Sequence, residues 1–221
     1  MQRERLKEIY QLLYSYFGPQ HWWPGQTRFE IIIGAILAQN TNWANVEKAI
    51  MNLKTADCLS VEKLNRLDLA EIAKLIKPAG YYNIKAKRLK NFLDWLFDKF
   101  SGRLENLENL NTSGLREELL SIKGIGPETA DSILLYAFDR PVFVIDAYTA
   151  RVAARHHLVD CDFEYYQLQN LFESNLPGDV KMFNEYHALL VRLAKKFCKT
   201  RPICAGCPLE KLPHTIQQEL F

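Results

Sequence analysis

Apolar positions recur at helical spacing along nearly the whole chain. Over residues 3–17, Leu6, Ile9, Tyr10, Leu13 and Phe17 fall on one face, the three-and-four spacing of an amphipathic helix. Residues 29–39 (FEIIIGAILAQ) are almost continuously apolar. The isoleucine run suits a buried strand, but its length and its continuation to Gln39 predict a buried helix. Amphipathic patterns predict helices over 42–53, 69–77 and 83–100, the last with Asn83 as N-cap. Two more, 115–122 and 128–138, flank the turn KGIGP, and 147–156, 165–175 and 182–197 complete the set. Residues 142–145 (VFVI) are the one strand-like stretch, and a single short β-run among about ten helices does not make a sheet protein. The pattern predicts an all-α chain without internal repeats.

The 221 residues suffice for one large domain or two small ones sharing a cleft, and 48% hydrophobic content supplies a sizeable core. The formal net charge is only +2, so a surface for a polyanion has to come from local clustering. No apolar run approaches the roughly 20 residues that span a bilayer. The charged, amphipathic N-terminus lacks the apolar core of a signal peptide. A cytoplasmic protein with no membrane partner is expected. Five cysteines, an odd number, argue against a disulfide framework. Cys198, Cys204 and Cys207 lie within ten residues, which points to metal ligation.

Two local patterns carry chemistry. In LLSIKGIGPETA, Gly124 and Gly126 flank Ile125, and Pro127 stands where a helix begins. Ile125 would tuck inward, and backbone N–H groups at the new helix start suit a phosphate oxygen. A dinucleotide-binding loop needs a preceding strand and a third glycine; here a helix precedes and Thr129 follows. A plain helix–helix turn without ligand remains the other reading. In VFVIDAYTARV, Asp146 ends an apolar run and precedes a helix. Asp is a favoured N-cap, worth roughly 1 kcal/mol. A carboxylate in that place is also held ionised and oriented by the helix dipole, and can steady an oxocarbenium ion or activate a water. One residue can do both.

Taken in order, LLSIKGIGPETA, VIDAYTARV and the C-x5-C-x2-C segment resemble the endonuclease III (helix-hairpin-helix) superfamily of DNA glycosylases. GYYNIKAKRL at 80–89 resembles the stretch before that family's long central helix, and AQNT at 38–41 the segment whose Gln enters the duplex. The resemblance covers most of the chain. It implies a two-lobed all-α fold: 29–140 with the hairpin at 119–130, and 1–28 plus 141–221 with a cysteine loop at 198–207, the active site lying between them. It implies double-stranded DNA as the partner of a monomer, with Gln39, Lys123, Gly124, Ile125, Gly126 and Thr129 contacting DNA and Asp146 driving base excision.

Where the family's lyase members carry a nucleophilic lysine, two residues past the second glycine, this chain has Glu128. A carboxylate forms no Schiff base, so the resemblance implies a monofunctional enzyme, with no strand cleavage. HWWPG at 21–25 and QNTNW at 39–43 resemble the 3-methyladenine DNA glycosylase III branch. Trp22, Trp23, Pro24 and Trp43, with Glu128, are therefore the expected base pocket for an alkylated purine, an aromatic cage favouring a cationic base by ~0.5–2 kcal/mol. Core packing of the tryptophans is the alternative. So are an oxidised, deaminated or mismatched pyrimidine as the lesion, and a DNA-binding module that has lost catalysis. The cysteine triplet resembles the family's [4Fe–4S] loop, but Pro213 stands where the fourth cysteine falls, with His214 adjacent and Cys161 far off in sequence. An iron–sulfur cluster, a Cys3His zinc site and an empty loop all remain open. Lys195, Lys196, Lys199 and Arg201, with Lys85, Lys87, Arg88 and Lys90, are candidate phosphate contacts or simply solvated helix faces.

Overall fold

The computed structural model describes residues 2–160 and 162–216. These form the helices α1 (Gln2–Phe17), α2 (Arg28–Leu37), α3 (Trp43–Thr55), α4 (Val61–Arg66), α5 (Leu69–Leu75), α6 (Tyr82–Phe100), α7 (Thr112–Leu120), α8 (Pro127–Ala137), α9 (Ala147–Arg155), α10 (Tyr165–Asn175) and α11 (Val180–Lys196). No strand occurs among the described residues. None of their helices is long and apolar enough to cross a membrane. The chain divides into two compact units. One is Trp23–Arg140; the other comprises the described parts of 1–22 and 141–221.

In the first unit, the apolar run after Thr27 is helical as expected. The Thr27 hydroxyl accepts from the Glu30 N–H at 3.1 Å, meeting one donor that a helix start leaves open. Phe29, Ile32, Ile33, Ile36 and Leu37 are all buried, so α2 is apolar on every side and is enclosed by α3, α6 and α8. In the second unit α11 packs on α9 and α1, and α1 also touches α10.

The VFVI run is extended but joins no sheet. Side chains of α10 satisfy its backbone instead: the Phe143 N–H donates to Glu173 at 2.8 Å and its carbonyl accepts from Gln169 at 2.9 Å. Phe143 is fully buried, stacked on Phe172 at 4.0 Å and meeting Phe183 edge-on at 5.3 Å. Phe143→Ala is expected to destabilise this unit by about 3–5 kcal/mol, read by urea unfolding.

One expectation needs correction. Asn83 does not cap α6; the helix starts at Tyr82 behind Tyr81 in the left-handed region (φ 45°), with no side-chain cap. A capped helix, α4, and 3-10 turns at Lys77–Ala79 and Leu104–Asn109 go unseen in the apolar pattern because they are too short for a repeat.

Lys85 is no phosphate contact. It is fully buried, and its ammonium donates to the carbonyls of Leu37 at 2.9 Å and Ala79 at 2.7 Å, closing the ends of α2 and the first 3-10 turn. Burial, with Arg88 nearby, pushes its pKa down to about 8. Below pH 8 the lysine is charged whether folded or not. Between 8 and its unfolded value the folded state releases the proton first, so stability rises with pH. Relative to Lys85→Met, the wild-type unfolding free energy should climb by up to about 3 kcal/mol from pH 7.5 to 10.5.

Candidate active site

Asp146 sits at the N-cap of α9. One carboxylate oxygen accepts from the Thr149 N–H at 2.7 Å; the other lies 3.6 Å from Nε2 of His187 on α11. The side chain is 13% exposed. Burial alone would raise its pKa, but His187 and the Thr149 N–H and hydroxyl outweigh burial and hold it below the usual value. The cap thus consumes one oxygen and leaves an ionised second one beside an imidazole. His187 escapes the sequence reading because it is a buried polar residue within the apolar face of α11, flanked by Phe183, Tyr186 and Leu190. A lone histidine among core positions carries no distinguishing signal.

The hairpin between α7 and α8 is held from several sides. Arg116 forks onto the fully buried Asp131 at 2.6 and 3.0 Å, tying α7 to α8. Ile125 is buried, its N–H on the Ile122 carbonyl at 3.0 Å. Gly124 has φ +99°, and its missing Cβ leaves room for the Arg88 side chain. The Asn91 amide bonds the Lys123 carbonyl at 2.8 Å, while Lys123 itself is exposed. No side chain caps α8, whose N-cap is Gly126 with Pro127 next. Its first backbone donors therefore form an anion-binding end.

Gln39 is stitched to this hairpin. Its amide nitrogen donates to the Gly124 carbonyl at 3.0 Å and the Thr129 hydroxyl at 2.8 Å, and its oxygen accepts from Arg88. Thr129 and Ile125 are buried, Ile125 tucked inward as its place between the two glycines predicts, so their side chains shape the hairpin. Among the other basic candidates, Lys90 is spent on Asn65, at 2.7 and 2.9 Å. Lys87, Lys195, Lys199 and Arg201 are exposed. Lys196 is exposed as well and lies over the Tyr16 ring.

Of the five expected base-pocket residues, three come together. Trp23, Pro24 and Trp43 line a pocket of about 320 Å³ with Glu30, Glu47 and Met51, within the roughly 300–1,000 Å³ typical of small-molecule sites. Trp23 stacks on Tyr136 at 4.9 Å and meets Trp43 edge-on at 4.8 Å. Both indoles pack against Gly34, where an added Cβ would make ordinary contacts at 3.4 and 3.5 Å. Lys54 pairs with Glu30 at 2.8 Å, and the Trp43 N–H donates to Glu47 at 2.9 Å. Trp22 and Glu128 do not line this pocket; Trp22 belongs to the other unit and Glu128 is exposed.

Cys198, Cys204 and Cys207 line a cleft in the second unit with Arg155, His156 and His214. Arg155 donates to the Cys198 sulfur at 3.3 Å and to the Lys199 and Thr200 carbonyls at 2.6 and 2.9 Å; Arg151 donates to the Cys198 carbonyl at 2.7 Å. Burial raises the Cys207 thiol, and burial with neighbouring His214 lowers His156 to about 4. Among the described residues no three His, Cys, Asp or Glu side chains converge on a single-ion site. Cys161 lies outside the described residues.

Residues 33–177 match the HhH-GPD superfamily of base excision DNA repair proteins, and the chain belongs to that family of DNA glycosylases. It is 47% identical over 209 residues to a Methanocaldococcus jannaschii protein named "Putative DNA repair glycosylase MJ1434", covering 94% of this chain and 95% of that one. It is 30% identical to endonuclease III of Sulfolobus acidocaldarius, over 83% of this chain and 81% of that one. Its fold matches the crystal structure of H. pylori 3-methyladenine DNA glycosylase bound to 1,N6-ethenoadenine, with TM-score 0.75 and 29% identity over 88% of this chain and 97% of that one.

Proposed function

We propose that this chain is a monofunctional DNA glycosylase that releases an alkylated purine such as 3-methyladenine from duplex DNA and leaves an abasic site. The observation that carries the reading is Asp146: an ionised, oriented carboxylate with one oxygen to spare beside His187. Such a group stabilises the positive sugar that forms as the glycosidic bond breaks, and draws a proton from the attacking water. Glu128 stands where an attacking lysine is required for lyase chemistry, so water is the nucleophile. The α8 start would grip a phosphate, and Gln39 would leave its two hairpin partners and Arg88 to fill the gap in the stack.

Trp23 and Trp43 with Pro24, and the Glu47 carboxylate at the pocket wall, favour a cationic base over a neutral one, while Lys54 offsets Glu30 at the same wall. The likeness to a 3-methyladenine glycosylase supports the same substrate class. The test is a base-release panel on duplexes carrying 3-methyladenine, 7-methylguanine, uracil, thymine glycol or a thymine mismatch. Release of methylated purines alone is expected. Release of only the pyrimidine lesions would replace this reading with an endonuclease III-like one, and tight binding with no release would leave a DNA-binding module. His187→Asn is expected to move the acid limb of the kcat/KM profile to higher pH. Asp146 works only when ionised, and losing the imidazole lets burial raise its pKa.

A further inference from the structure

We propose that His156 completes the cysteine cleft as the fourth protein ligand of a [4Fe–4S] cluster held by Cys198, Cys204 and Cys207. The inference is independent of which base the protein excises. Four irons take four protein ligands, and three thiols leave one iron open. The sequence gap at Pro213 draws attention to its neighbour His214, but the cleft favours a different imidazole.

His156 is 5% exposed and lines the cleft with all three thiols. Its Nδ1 is buried and has no hydrogen-bond partner among the described residues. A polar atom buried without a partner is costly to the fold, and a metal bond removes that cost. The same ring is hydrogen-bonded to the backbone of Pro213, the residue that stands where the fourth cysteine falls in sequence. A ligating histidine typically rests its other nitrogen on a backbone carbonyl in this way. His214 is only half-buried, and its Nδ1 is taken by the Leu212 carbonyl at 2.8 Å.

The surroundings suit a cluster. His156 directly follows α9, and Arg151 and Arg155 of that helix hold the cysteine loop through its carbonyls and the Cys198 sulfur. The Thr215 N–H donates to the Arg155 carbonyl at 2.9 Å, fixing the far side of the cleft to the same helix end. A single zinc would need its ligands gathered about one point at bonds of roughly 2.0–2.3 Å, and no three donors among the described residues gather so.

The test uses the full chain, reconstituted anaerobically with ferrous iron and sulfide. Wild type should take up about four irons per chain, and pulsed EPR of the reduced protein should show coupling to a ligating nitrogen. His156→Cys should keep the iron and lose the nitrogen coupling. His156→Ala should lose at least half of the iron, with helical circular dichroism confirming that it folds. His214→Ala should match wild type in both readouts. Nitrogen coupling that survives in His156→Cys, or disappears in His214→Ala, overturns the assignment. So does a wild-type chain that takes up no iron, or one that binds a single zinc in its place.

Discussion

Replacing Asp146 by asparagine is expected to slow base release about 1,000-fold in single-turnover assays, within the 10²–10⁴ range of positioned acid–base groups. Asparagine caps a helix about as well as aspartate, so the bond from the Thr149 N–H should survive and stability should change by less than about 1 kcal/mol. What disappears is the negative charge. The developing oxocarbenium ion then loses its counter-charge, and the attacking water loses its base. Duplex affinity should hold or improve, because a carboxylate no longer repels phosphates. The pairing of lost turnover with kept binding and kept stability separates a catalytic carboxylate from a cap. A variant with wild-type turnover would reduce Asp146 to its structural role.

The second large effect concerns the hairpin. Gly124→Ala is expected to weaken duplex binding by about 10–100-fold and to lower the melting temperature by a few degrees. Gly124 holds φ +99°, a conformation that strains any L side chain by roughly 1–2 kcal/mol. Its new Cβ would stand 2.6 Å from Cγ of Arg88, the residue that bonds Gln39. Relief requires Arg88 to move, which releases Gln39 and shifts the turn that aims the α8 amides. Gly126→Ala is the sharper companion. Nothing in the protein lies within 4 Å of a Cβ there and φ is −97°, so only the poorer capping by alanine acts on stability, a loss below about 1 kcal/mol. That methyl would instead stand at the α8 start, where a phosphate must approach, and binding should still fall. Binding assays and thermal melts on both variants distinguish strain from obstruction.

Much of the fold is legible because helix periodicity is a one-dimensional signal. The all-α pattern, the GIG turn and the role of Asp146 as cap can each be read from residues close in sequence. What escapes depends on contacts distant in sequence. His187 meets Asp146 from a helix some forty residues on, and on its own helix it is indistinguishable from a core residue. Lys85 reads as one of a surface run with Lys87 and Lys90, yet it is drawn inward by two carbonyls that only the packed ends of α2 and the 3-10 turn bring together. Thr129 lies in the right motif, but its hydroxyl is held inside the fold by Gln39, 90 residues away in sequence. The VFVI run shows the limit of propensity: β-branched residues stay extended, but with no partner strand their backbone bonds go to side chains.

The proposed hydrolysis by water, driven by Asp146 with Glu128 where the lyase lysine would stand, is tested most directly by borohydride trapping. A duplex with one 3-methyladenine would be incubated with the protein, with and without borohydride, and resolved before and after alkali. Base release with strand breaks only after alkali, and no protein–DNA adduct, is the expected result. A borohydride-trapped covalent complex, or strand breaks without alkali, would contradict it.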